Sequence, residues 1–256
     1  MSEIDEARRL SFDARAALYD AVRPSYPDAL ADDLLATAGR RVLEIGAGTG
    51  KATVVFARRG ASIVALEPGP SLAAVLRRNV AGHDVTIENT TFEAWPIARP
   101  FDLVMAAQAI HWVDPSVRYT KAAEVLAPGG VIAVIRNEML PFEPGLRAEL
   151  EVAYARWHSP SSNRPSDDPI EDARRELVDE IGASRRFGAV ETRVYPWTTS
   201  LPTARYLDLL DTYSDHAVLA AEPRARLHDA IAGAIERRGG VLEIHYVSMA
   251  FVARNI

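Results

Sequence analysis

The sequence predicts an α/β fold, a doubly wound and largely parallel sheet, on three observations. The run Arg41-Val-Leu-Glu-Ile45 stops at three glycines on alternate positions, Gly46, Gly48 and Gly50, and a helical pattern follows at once. Short apolar runs then alternate with helical segments as far as Ile87, a βαβαβ succession. Right-handed crossovers make that succession half of a doubly wound sheet, whose ligands sit at the carboxyl ends of the strands.

Composition sets the outer bounds. The 256 residues are 48% apolar and 25% charged, with a net charge of −6, which fits an ordinary globular chain burying about 70–75% of its unfolded surface. The negative balance argues against a nucleic-acid partner, which needs a clustered positive field. No cysteine is present, so disulfides, thiolate metal sites and thiol nucleophiles drop out. The acidic start Met1-Ser-Glu-Ile-Asp-Glu6 is followed by no apolar stretch, and no run approaches the roughly 18 apolar residues of a membrane span. A cytoplasmic location without membrane attachment is the expectation.

Taken in order, residues up to about Gly39 read as two helices broken at Arg23-Pro-Ser-Tyr-Pro27, the first with Phe12, Ala16 and Tyr19 on one side. Val42, Leu43 and Ile45 suit a buried strand, and Lys51 to Ala57 a helix ending at Gly60. At the junction the glycines accept positive φ and let backbone approach a ligand. A dinucleotide fingerprint would need its third glycine where Lys51 stands. Ile63 to Glu67 is the second strand. Pro68-Gly-Pro70 turns into a helix carrying Leu72, Val75 and Leu76, and Val85 to Ile87 is the third strand. A carboxylate such as Glu67 at the second strand end can accept both ribose hydroxyls of a nucleotide.

Phe101 to Ala106 is a fourth strand. Asp114 with Pro115 reads as the start of a helix running to Leu126, and Val131 to Ile135 is a fifth strand. Leu146, Leu150, Tyr154 and Trp157 fall at helical spacing, as do Ile170, Leu177 and Ile181, with Gly182 as the stop. Between them His158 to Pro169 reads as a mobile loop. Val190 to Trp197 alternates like a strand, placed at a sheet edge by Pro196. Tyr206, Leu210 and Tyr213, then Leu227, Ile231 and Ile235, mark two further helices, and Val241 to Val252 is a strand apolar on both faces, hence central.

Several stretches resemble class I S-adenosylmethionine-dependent methyltransferases, in particular the small-molecule branch akin to trans-aconitate methyltransferase. These are Glu44 with the G-x-G-x-G turn, Glu67, Thr91-Phe92-Glu93, Ala107-Gln-Ala-Ile-His-Trp112 and Leu126-Ala-Pro-Gly-Gly130. Phe12-Asp13, Tyr19 and Arg23-Pro-Ser-Tyr-Pro27 resemble the branch's N-terminal cover. The match spans roughly residues 9–137. It implies a Rossmann-like seven-stranded sheet, with five parallel strands and a closing antiparallel hairpin that sets strand seven between five and six. One domain over 1–256 would divide into an N-terminal cover (1–39), a cofactor core (40–137), a helical insertion over the acceptor (138–187) and C-terminal strands and helices (188–256).

The resemblance further implies S-adenosylmethionine as cofactor, S-adenosylhomocysteine as product, and no metal. Glu44, Gly46, Gly48, Thr49, Gly50, Glu67, Pro68, Thr91, Phe92, Glu93 and Gln108 are the implied cofactor residues, Gln108 at the methionine end. Relatives carry Asp where Thr91 stands, so Thr91, Glu93 or only backbone around Phe92 meets the adenine; for Glu93 a solvated surface role is the alternative. His111 is either a proton-accepting catalytic group or, with Trp112, the floor of the pocket. Tyr19, Arg23, Tyr26, Trp112, Arg136 and Trp157 are candidates for holding the acceptor. The arginines suit a carboxylate and the aromatics a flat metabolite; packing or solvated charge is the alternative for each. The expected reaction is O-methylation of a carboxylate or hydroxyl on a small molecule, by a monomer or homodimer. An NAD(P)-dependent oxidoreductase and a non-catalytic S-adenosylmethionine-binding protein are the competing functions.

Overall fold

The computed structural model describes residues 15–97, 100–157, 168–217 and 219–256. Phe12, Asp13 and residues 158–167 of the expected loop lie outside them. One sheet has the order β3-β2-β1-β4-β5-β7-β6. Its strands are β1 Arg41–Ile45, β2 Ser62–Leu66, β3 Val85–Glu88, β4 Phe101–Ala107, β5 Leu126–Met139, β6 Glu191–Pro202 and β7 Val241–Arg254. The first five run parallel, and β7 lies antiparallel between β5 and the edge strand β6, the Rossmann-like arrangement expected. Pro196, on β6, stands where a missing amide donor does least harm.

Side-chain alternation along the strands decides what each face packs on. Leu43, Ile45, Val104, Ala106, Ile132 and Val134 face one layer. Val42, Leu103, Met105, Val131, Ala133 and Ile135 face the other. The second layer holds α2 (Asp28–Ala38), α3 (Lys51–Ala57) and α4 (Pro70–Asn79) through Leu30, Leu34, Val55, Phe56 and Leu76. The first holds α5 (Arg118–Val125) and α7 (Pro169–Ala183) through Tyr119, Ala122, Leu177 and Ile181. Each fully buried Leu, Val or Phe contributes about 1.5–3 kcal/mol.

A third apolar cluster forms the cover. It joins α1 (Ala16–Val22), α6 (Pro144–Trp157), α8 (Thr203–Leu210) and α10 (Ala221–Glu236) to Leu242, Ile244 and Tyr246 of β7. The short helix α9, Ser214–Ala217, lies between α8 and α10. Residues 138–187 are therefore not one insertion: α6 joins this cover, while α7 packs on the sheet.

Three local expectations also change. Asp114 starts a turn, its carboxylate accepting from Ser116 N and Oγ, and the regular helix begins four residues later at Arg118. Gly182 stays inside α7, and the left-handed residue after that helix is Arg185, at φ 53°. In β7 burial alternates over Val241–Tyr246 and is continuous only over residues 246–253, so one strand is first half-covered and then central.

Candidate active site

The β1 turn is shaped by backbone first. Gly46 and Gly50 adopt φ of 67° and 90°. A Cβ on Gly46 would fall 2.6 Å from the Cβ of Ala109, which cannot move aside, and one on Gly50 would fall 2.5 Å from the movable Cδ1 of Leu76, so at Gly50 the positive φ is the main bar to a side chain. Around Gly48, by contrast, a Cβ would meet nothing within 4 Å, which leaves the middle of the turn open.

Glu67, 5% exposed at the end of β2, ties this turn to the next. Its Oε2 accepts from Gly48 N at 2.7 Å and its Oε1 from Gly69 N at 2.7 Å, with Pro68 between the carboxylate and α4. Asn89 Nδ2 donates to the Glu67 carbonyl at 2.6 Å, joining the ends of β2 and β3. The two bonds to the carboxylate are charge-assisted and contribute about 1.5–3 kcal/mol each.

Two buried polar atoms near the turn have no hydrogen-bond partner, Glu44 Oε2 and Thr49 Oγ1. Glu44 is 1% exposed, and burial pushes its carboxyl up to about 8, a bond from the Thr53 side chain opposing the rise and the nearby Glu67 adding to it. A buried carboxylate without a partner is unfavourable. A ligand bringing an ammonium group would relieve both atoms. An open glycine cradle, a ribose-type carboxylate and orphaned acceptors thus fit an amino-acid-bearing nucleoside.

Lys51, which breaks the dinucleotide spacing, has a structural use. Its Nζ donates to the Asp20 carbonyl and lies 3.4 Å from the Asp20 carboxylate. Asn79 Nδ2 meets both Asp20 Oδ1 at 3.0 Å and Thr49 O at 2.8 Å. The cover helix α1 is thereby clipped to the glycine turn. Asp20 and Asn79 carried no periodic signal and were not foreseen.

The residues expected near adenine divide. Thr91 caps the turn after β3, its Oγ1 accepting from Ala94 N at 3.3 Å and its carbonyl from Trp95 N at 3.0 Å. The Phe92 ring is in the core, with Lys121 Nζ 5.3 Å from its centroid. Glu93 accepts from Asp114 N at 2.9 Å, pinning this turn to the loop after β4. Contact through the Phe92 ring is thus closed off, and Glu93 is neither idle nor plainly aimed at a ligand.

At the end of β4, Gln108 takes a left-handed conformation at φ 55°, which strains a non-glycine residue by roughly 1–3 kcal/mol. The conformation lets its Nε2 donate to Asn137 O at 2.8 Å. Asn137 is a third residue that sequence reasoning passed over. Its Oδ1 accepts from Trp197 Nε1 at 3.3 Å and Ser248 Oγ at 3.0 Å, and its Nδ2 donates to Ser25 O at 3.3 Å. The strand-end rule that selected Gly46 and Glu67 would also have selected it.

His111 and Trp112 stand on a single 3₁₀ turn, Ile110–Trp112, with ring centroids 4.7 Å apart. His111 keeps an open surface, yet its crowded surroundings, then the Arg136 and Arg118 cations, hold its imidazolium down to about 4. Of the two cations, Arg118 is buried against Val113 O at 2.7 Å and Glu180. Arg136 pairs with Glu176 at 2.9 Å, and its buried Nε has no acceptor.

Arg23 is placed otherwise than expected. Its Nε and Nη2 donate to Oγ1 and O of Thr212 at 2.8 and 2.7 Å. Its guanidinium lies 5.0 Å from the Tyr19 centroid and 4.2 Å from that of Tyr213. Instead of waiting for an acceptor carboxylate, it laces α1 to the turn after α8. Tyr26 is partly buried between Glu44 and this cover, and burial, then Tyr19 and Glu44, raise its phenol well above the usual range. Trp157 packs in the cover with the Arg156 guanidinium 4.9 Å from its ring centroid.

No helix among the described residues is long and apolar enough to cross a membrane. Comparison with known proteins adds the family. The methyltransferase-domain family matches residues 42–130, the stretch containing the glycine turn, Glu67 and Gln108. An uncharacterised methyltransferase of Mycobacterium tuberculosis is 32% identical over 225 residues, 87% of this chain and 84% of that protein. A methyltransferase-like protein of Schizosaccharomyces pombe is 26% identical over 252 residues, 94% of each chain. In fold, a putative type II methyltransferase from Anaeromyxobacter dehalogenans superimposes with a TM-score of 0.69 at 24% identity, over 91% of this chain and 97% of that one. Family membership implies S-adenosylmethionine as methyl donor, and the chain belongs to the class I S-adenosylmethionine-dependent methyltransferases.

Proposed function

We propose that this protein transfers the methyl group of S-adenosylmethionine to an oxygen of a small-molecule acceptor, a carboxylate or a hydroxyl, held between the strand ends and the cover. The observation that carries the reading is the Glu67 carboxylate bridging Gly48 N and Gly69 N beside an open glycine cradle and the partnerless Glu44 Oε2. The bound cofactor supplies a methyl on a cationic sulfur, open to in-line displacement.

The chain's own residues have mainly to align and to exclude water. Gly46, Gly48 and Gly50 shape the backbone around the amino-acid end, with Glu44 and Thr49 as acceptors for its ammonium. Glu67 takes the ribose hydroxyls, and backbone at Thr91 and Phe92 meets the base. Gln108, locked to Asn137, sets the wall beside the reacting carbon. His111 and Trp112 close the acceptor mouth. Such positioning supplies roughly 7–11 kcal/mol of barrier reduction. An imidazole held near 4 is a weak base, so His111 is assigned to orientation.

Calorimetric titration of S-adenosylhomocysteine tests the reading. Micromolar binding, about −8 kcal/mol, is expected for the wild type, with at least about tenfold loss in Glu67→Gln and no response to NADH. A wild type that takes NADH and not S-adenosylhomocysteine would return the oxidoreductase reading.

A further inference from the structure

The carboxyl ends of β1, β4 and β5 are neighbours in the sheet and carry Gly46, Gln108 and Asn137-Glu138 in turn. They touch in sequence: Gly46 lies against Ala109, and Gln108 holds the Asn137 carbonyl. Two strand spacings put the β5 end about 10 Å from the glycine turn. There Glu138 stands half-buried, with no hydrogen bond or ion pair to its carboxylate among the described residues.

Its surroundings explain both the burial and the missing partner. Arg136, two residues back on the same strand face, is engaged by Glu176 of α7. Tyr26, from the segment after α1, and Tyr213, from the turn after α8, lie within electrostatic reach. Tyr26 also lies within electrostatic reach of Glu44. Glu138 is therefore a carboxylate without hydrogen bond or ion pair within electrostatic reach of two phenols, while the cations Arg136, Arg118 and Arg23 already have partners.

We propose that Glu138 is the proton acceptor of the reaction and that the acceptor is a phenol-like hydroxyl compound. The inference rests on the methyl-transfer reading and narrows its acceptor. A carboxylate acceptor needs no base and would be repelled by Glu138, whereas a phenol needs its proton removed. The phenolic O–H proton passes to a Glu138 carboxylate oxygen as the oxygen lone pair forms the new O–CH₃ bond. The CH₃–S bond breaks with its electron pair going to sulfur, leaving a neutral thioether, and Glu138 later returns its proton to solvent. Burial raises the Glu138 carboxyl, Arg136 opposing and Glu176 adding to the rise, which brings its basicity toward the working range.

The test compares wild type and Glu138→Gln on phenol and on 4-nitrophenol, which is already ionised in mildly alkaline buffer, with methyl-labelled cofactor and parallel S-adenosylhomocysteine calorimetry. Unchanged S-adenosylhomocysteine binding is expected, with kcat/KM down about 100-fold on phenol but far less on 4-nitrophenol, and the acid limb of the wild-type pH profile lost. Equal losses on both acceptors, no loss at all, or a wild type that binds S-adenosylhomocysteine yet methylates neither phenol overturns the proposal. Failure of the wild type to bind S-adenosylhomocysteine removes the methyl-transfer reading itself.

Discussion

The two ends of the site are built by different means. At the cofactor end the defining hydrogen bonds are local: Glu67 reaches Gly48 and Gly69, 19 and 2 residues away, and Asn89, 22 residues away. At the acceptor end they are distant: Arg23 to Thr212 spans 189 residues, Arg205 to Ala21 spans 184 and Asn137 to Ser25 spans 112. A backbone conformation fixed by a short motif defines one half, and side chains meeting only in the finished fold define the other. The first half should fail when its backbone is altered, the second when single polar side chains are removed.

The sharpest way to break this contrast is within the glycine turn. Gly46→Ala combines positive φ with a Cβ 2.6 Å from Ala109. Strain and overpacking together should lower stability by roughly 2–5 kcal/mol. Gly48→Ala has the positive φ but open space. It should lower stability by only about 1–2 kcal/mol and yet abolish S-adenosylhomocysteine binding, because its methyl group enters the cradle. Thermal melts and calorimetry on both variants check this; equal effects on melting would mean that the turn is not a cradle.

Glu44 gives the next largest effect. Its folded carboxyl is raised from 4.5 to about 8, so between those values the folded state holds a proton that the unfolded state has lost. Stability should therefore fall as pH rises through that window, by about 1.4 kcal/mol per unit at most. Glu44→Gln should flatten the slope. His111 has the opposite sign: with its imidazolium held near 4, its contribution is lost as pH falls from about 6.5 toward 4. Melting temperature against pH for each variant separates the two ends.

Arg23→Ala should cost about 2–3 kcal/mol through its paired hydrogen bonds and ring contacts, and Arg23→Lys should not rescue a guanidinium fork. The acceptor KM should rise more than the S-adenosylhomocysteine Kd; the reverse would place Arg23 with the cofactor.

The same contrast explains what the sequence revealed. β1, the glycine turn and Glu67 were legible because period, spacing and strand-end position encode them within about thirty residues. The packing of α6 and α7 was not. Leu146, Leu150 and Tyr154 have the same apolar spacing as Ile170, Leu177 and Ile181, and spacing gives a buried face without saying whether cover or sheet buries it. Arg23, Asn137 and Asp20 leave no period at all, since their partners are chosen by tertiary proximity. Thr91-Phe92-Glu93 was legible as a motif, but the direction of the Phe92 ring into the core was not.

Lys51 is where the two ends meet, and its removal should have the smallest effect of the four. Lys51→Met keeps the length of the side chain while removing the bonds to Asp20, both partners being about a quarter exposed. Solvent screening at such a site limits the loss of stability to under about 1 kcal/mol. If α1 acts as a cover clipped over the bound cofactor, the loss should appear in kinetics instead, as a severalfold faster release of S-adenosylhomocysteine in stopped flow with little change in association. Unchanged release would mean that α1 is held by Arg15, Arg23, Arg205 and Asn79 without Lys51 and that the two ends are energetically independent. A matching slowdown in association would mean that Lys51 shapes the turn itself and belongs to the cofactor end.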